Sequence, residues 1–126
     1  MVEKFDSLIK EGEIEGKELE ELLSLKEKNR VDFKLIDIRE AIEYSNESIV
    51  GTDLLYPTSK LHLHVKDFED LKNEYIILYC RTGNRTGQVL KILKRMGFEK
   101  VTHLTEGIVE YSGKKVKNAP IPNNLD

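Results

Sequence analysis

The chain has 126 residues, of which 39% are hydrophobic and 34% charged, with a net charge of −3 and one cysteine, Cys80. That length supports one domain with its own core. The mild acidity gives no electrostatic footprint for nucleic acid or an anionic membrane surface, and a lone cysteine excludes an internal disulfide or a thiolate metal site.

Met1 to Gly12 is charged, with Phe5, Leu8 and Ile9 on one face of a short helix, and reads as an N-terminal arm over residues 1–12. Glu13 to Glu15 fits a brief edge strand. Lys17 to Lys28 is an amphipathic helix with Leu19, Leu22, Leu23 and Leu25 apolar, glutamates early and lysines late, as the helix dipole favours. Phe33 to Ile38 reads as a buried strand. A short helix through Glu43 and Tyr44 follows, with capping-box spacing between Asp37 and Glu40. Arg39 and Glu43 stand four apart and are read as an ion pair on that helix. Asp37 is expected to accept backbone hydrogen bonds from a neighbouring loop.

Asp53 to Tyr56 is a second strand, closed by Pro57. His62 and His64 alternate with Leu61, Leu63 and Val65, and are read as a surface pair, with His103 standing apart. Val65 to Lys72 is helical, with Val65, Phe68 and Leu71 on one side. Tyr75 to Tyr79 is an apolar strand that delivers Cys80. Thr86 to Met96 has the clearest helical periodicity (Val89, Leu90, Ile92, Leu93, Met96), and Gly97 suits its C′ position. Lys100 to Leu104 is another strand, Glu106 to Tyr111 another short helix, and Gly113 to Asp126 a proline-bearing tail. Strands alternating with helices predict a mainly parallel α/β sheet with helices on both faces and ligands bound at the strand carboxyl ends, where Cys80 falls.

The loop Cys80-Arg81-Thr82-Gly83-Asn84-Arg85-Thr86 carries the chemistry. Gly83 permits positive φ, and with Asn84 beside it the loop curls into a nest of inward-pointing amides at a helix N-terminus. Such a nest holds a thiolate, a persulfide or an oxyanion. Arg81 and Arg85 add positive potential, and Thr82 and Thr86 add hydroxyl donors. This reading requires amides aimed at position 80 and a side chain that is not entombed in hydrocarbon.

The same loop is similar to the C-x-x-G-x-[RS]-[ST] loop of the rhodanese-like (sulfurtransferase) family. Leu35-Ile36-Asp37-Ile38-Arg39-Glu40 with Glu43-Tyr44 resembles the family's L-I-D-V-R … E-Y segment, and Met96-Gly97-Phe98 with Val101 and Leu104 resembles G-F-x-x-V … L. Pro120 falls near the family's terminal proline. The resemblance covers about residues 13–122, leaving 123–126 as a C-terminal tail. It implies a rhodanese-like fold with a five-stranded, mainly parallel sheet. It departs from the family at Glu47-Ser48-Ile49-Val50-Gly51-Thr52, which lacks a glycine and a histidine, and at Glu106-Gly107-Ile108-Val109-Glu110-Tyr111, where Glu106 replaces a glycine and is read as a helix cap.

The resemblance implies a catalytic Cys80, a substrate-binding loop of Arg81, Thr82, Gly83, Asn84, Arg85 and Thr86, and supporting roles for Asp37 and Arg39. The expected activity is a single-domain sulfurtransferase or persulfide carrier of the thiosulfate or polysulfide type, needing neither cofactor nor metal. Its partners are a small sulfur donor and a thiol, cyanide or protein acceptor, and its expected location is cytoplasmic. A non-catalytic or redox-sensing rhodanese-like binding module is the alternative. A phosphatase or arsenate reductase fits less well, because four residues rather than five separate Cys80 from Arg85 and no general acid can be assigned.

Overall fold

A computed structural model describes residues 5–7 and 12–122. Helix α1 spans Gly16–Glu27, strand β1 Lys34–Asp37, α2 Ala41–Asn46, β2 Ser48–Ile49, β3 Leu54–Leu55, α3 Val65–Asp70, β4 Ile76–Tyr79, α4 Asn84–Arg95, β5 Val101–His103 and β6 Lys115–Val116. The main sheet has the order β3-β1-β4-β5, with every neighbouring pair parallel. Among the described residues four strands form it, beside the five expected. The fifth place is held by a single parallel bridge from Ile14 to Leu104, where the brief edge strand was expected. The proline-bearing tail pairs β6 antiparallel with β2, away from the main sheet.

Side chains alternate across a strand, so β4 splits the core in two. Ile77 and Tyr79 join Leu35, Leu19, Leu22 and Ile14 on the α1 face. Ile76, Leu78 and Cys80 join Ile36, Phe68, Val89 and Leu93 on the face covered by α3 and α4. Both faces of β4 are therefore apolar, as a parallel strand covered by helices on each side requires. Each fully buried Leu or Ile contributes about 1.5–3 kcal/mol of transfer free energy.

Two local readings are corrected. The capping box on α2 joins Glu40 and Glu43, not Asp37 and Glu40. The histidines read as a surface pair sit around the 3-10 helix Thr58–Leu63, with His62 exposed and His64 Nδ1 3.0 Å from Asp67 Oδ2. Glu106 is exposed and is not the cap of the short 3-10 turn Ile108–Glu110, which begins at Gly107. Of the apolar residues assigned to the N-terminal arm, Phe5 is buried and stacks on Tyr75 with ring centroids 4.6 Å apart. Leu8 and Ile9 lie outside the described residues.

Candidate active site

Cys80 leaves the carboxyl end of β4 facing the first turn of α4, whose N-cap is Gly83 at φ 96° and ψ −11°. Glycine has no side chain with which to cap the helix. The Cys80 sulfur takes that place and accepts the Gly83 N–H at 3.2 Å, with Thr86 Oγ1 3.7 Å away. An anion there faces the positive end of the helix dipole.

The loop amides point inward because their carbonyls are tied outward. Ile108 N–H donates to Cys80 O at 2.9 Å, and Val109 N–H donates to Arg81 O at 3.2 Å. In a planar trans peptide the N–H lies opposite the C=O, so fixing the Arg81 carbonyl turns the Thr82 amide toward the sulfur. Two glycines allow this close bracing. A Cβ on Gly83 would lie 2.1 Å from Thr105 O, and a Cβ on Gly107 would lie 2.2 Å from Arg81 O.

The thiol titrates below its ordinary value. Burial is the largest single influence and pushes it up. The Thr86 amide and hydroxyl and the amides of Gly83 and Thr82 oppose burial and together outweigh it. Amides, more than cations, produce this shift. Arg81 is exposed, and Arg85 is held by Glu43 in a fork, Nη1–Oε1 2.8 Å and Nη2–Oε2 2.9 Å. The hydrogen bonds from Arg85 are the main reason the Glu43 carboxyl falls to about 2.

The expected Arg39–Glu43 ion pair is therefore absent, because each residue has a better partner. Arg39 precedes the helix and folds back onto Asp37, with Nε–Oδ1 3.0 Å and Nη2–Oδ2 2.8 Å, while Nη2 also donates to Glu47 O at 2.7 Å. Asp37 is fully buried and accepts the Arg39 backbone N–H at 2.9 Å, from its own turn rather than from a neighbouring loop. Asp37 pairs in register with Tyr79, and Arg39 lies over the Tyr79 ring at 5.5 Å. Both thus brace the α1 side of β4 and do not reach the sulfur. Thr82 and Asn84 are exposed, while Thr86 is buried.

Sequence reasoning missed two neighbours of the loop. Glu43 is one. His103 is the other: it opposes Leu78 across β4 and β5, and its Nδ1 lies 2.6 Å from Thr86 Oγ1. The parity of β5 was the available signal, since His103 must share a face with Val101, which packs beside Cys80.

Cys80 is 1% exposed. One flank of the side chain rests on core hydrocarbon and the other on the loop amides. A groove of about 230 Å³ opens beside Arg85, lined by Thr58, Leu61, Arg85, Gln88, Val89 and Ile92, and the sulfur does not line it. Among the described residues no group of three or more His, Cys, Asp or Glu could hold a metal, and no helix is long and apolar enough to cross a membrane.

The model of the rhodanese-like domain family matches residues 18–114. Among curated proteins, the uncharacterized protein slr1261 of Synechocystis is 33% identical over 92 residues, covering 69% of this chain and 50% of that protein. The putative sulfur carrier protein YrkF of Bacillus subtilis is 26% identical over 91 residues, covering 69% of this chain and 48% of that protein. The chain thus spans about half the length of these two relatives. Among solved structures, the thiosulfate sulfurtransferase of Pseudomonas aeruginosa superimposes with a TM-score of 0.72 at 19% identity, over 94% of this chain and 23% of that one, a likeness of fold.

Proposed function

Since the chain belongs to the rhodanese-like domain family, we propose that it is a sulfurtransferase or persulfide carrier that loads sulfane sulfur onto Cys80. The observation that carries this reading is the sulfur capping α4, with loop amides outweighing the cost of burial on its thiolate. The Cys80 thiolate attacks the outer sulfur of thiosulfate, a polysulfide or a persulfide. The donor's S–S bond breaks, its remainder leaves with the electron pair, and a Cys80 persulfide forms. The amides of Thr82, Gly83 and Thr86 stabilise the charge on the thiolate and on the persulfide that replaces it. A nucleophile then takes the outer sulfur and returns Cys80 as thiolate. These 126 residues hold no second cysteine to resolve the persulfide, so the acceptor is a group outside them: cyanide in assay, a thiol or a partner protein otherwise.

The near-complete burial of Cys80 favours a second reading, a non-catalytic rhodanese-like binding module in which the sulfur is not turned over. Thiocyanate formation from thiosulfate or polysulfide plus cyanide separates the two. Turnover by the wild type and none by Cys80→Ser supports transfer. A folded wild type with no turnover on either donor supports the module.

A further inference from the structure

We propose that His103 is a positioning residue that sets the ionisation of Cys80 through the hydroxyl of Thr86. That hydroxyl has one proton and three acceptors within reach: Gly83 O at 3.1 Å, His103 Nδ1 at 2.6 Å and the Cys80 sulfur at 3.7 Å. Its proton cannot serve all three. When Nδ1 carries no proton, the shortest contact takes the Thr86 proton and the sulfur loses a donor. When Nδ1 is protonated it donates to Thr86, and the hydroxyl is released toward the thiolate. The protonation of His103 thus decides which way the chain points.

Ionisation follows the same path. The S–H bond of Cys80 breaks as Thr86 Oγ1 takes the proton, and the Thr86 O–H bond breaks as Nδ1 takes its proton. One thiol and one neutral imidazole become one thiolate and one imidazolium, with no net change of charge. Burial, the larger influence on His103, pushes the imidazole below its ordinary value, while the Glu13 carboxylate pulls the other way. The groups facing His103 are Gly87 and Thr86 of α4, Glu13 before α1, and Cys80 through Thr86. Both members of the relay are buried, with His103 9% and Thr86 0% exposed, so solvent does not short-circuit the chain.

The inference shares with the proposed function a reactive thiolate, but it does not need sulfur transfer, and its tests read none. The rate of iodoacetamide alkylation is followed against pH for wild type, His103→Asn and Thr86→Val. The amide introduced by His103→Asn can still bond the Thr86 hydroxyl but cannot titrate. Each variant is expected to move the midpoint up by about one pH unit, a roughly tenfold slower reaction at neutral pH, with the high-pH limit unchanged. The double variant is expected to be no worse than either single, because the two residues act in series. A second measurement leaves His103 in place: its imidazole is expected to titrate at higher pH in wild type than in Cys80→Ser, since coupling is reciprocal. A His103→Asn profile that overlays wild type, additive single variants, or identical imidazole titrations in wild type and Cys80→Ser would overturn the inference.

Discussion

At the scale of single residues, the thiol is tuned more by small groups than by formal charges. Gly83 combines left-handed backbone with a Cβ position 2.1 Å from Thr105 O. Gly83→Ala therefore cannot keep both the loop and its brace. It is expected to cost about 1–3 kcal/mol in denaturant titration and to raise the thiol midpoint as amides swing away. An alanine variant with wild-type stability and reactivity would contradict the bracing. The fork between Glu43 and Arg85 gives a prediction with opposite signs. Glu43→Gln unmasks the guanidinium near the sulfur and is expected to lower the thiol midpoint. Arg85→Ala leaves Glu43 unpaired and is expected to raise it. Alkylation profiles check both, and shifts of the same sign would show that the pair does not act on the thiol as a unit.

At the scale of elements, the unit that matters is β4, the loop and α4. It was legible because its signals are local: an apolar run, a glycine, then the strongest helical periodicity in the chain. The departures share one cause, which is that their partners are distant in sequence. Arg39 and Glu43 have ion-pair spacing only if both lie on one helix, yet α2 begins at Ala41 and Arg39 lies before it. Glu43 instead reaches Arg85, 42 positions away, and no spacing rule announces that contact. The parity of β5 gives the face of His103, but its contact with Thr86 depends on β5 pairing with β4, which the sequence does not display. The α2–α4 contact also yields a pH dependence. With Glu43 held at about 2 against an ordinary 4.5, its contribution to stability is fully present above pH 4.5 and is lost as pH falls from there through about 2. The melting-temperature gap between wild type and Glu43→Gln is expected to be constant at neutral pH and to close across that acid range. A gap that persists unchanged at pH 2 would contradict it.

At the scale of the whole molecule, the parallel strands, the helices on both faces and the strand-end location of the loop follow from alternating βα units. Among the described residues the fifth place in the sheet is the single bridge of Ile14 to Leu104, because Glu15 directly after it already caps α1. Depth of burial was not legible, because it depends on how the segment around Gly107 closes over the loop. With Cys80 1% exposed, access to the sulfur requires local opening of that segment. Alkylation is therefore expected to slow steeply with reagent size, a maleimide carrying a bulky aromatic reacting at least roughly tenfold more slowly than iodoacetamide relative to a free thiol. Equal relative rates would mean that the sulfur is open to solvent and that the bracing contacts do not persist.

Under the proposed function, the braced Cys80 thiolate accepts a single sulfur atom. Intact mass of the protein after incubation with thiosulfate or polysulfide tests this most directly. Wild type is expected to gain one sulfur atom that cyanide removes, while folded Cys80→Ser gains none. A wild type that stays at its unmodified mass with either donor, or a Cys80→Ser variant that takes up sulfur equally, would contradict the account.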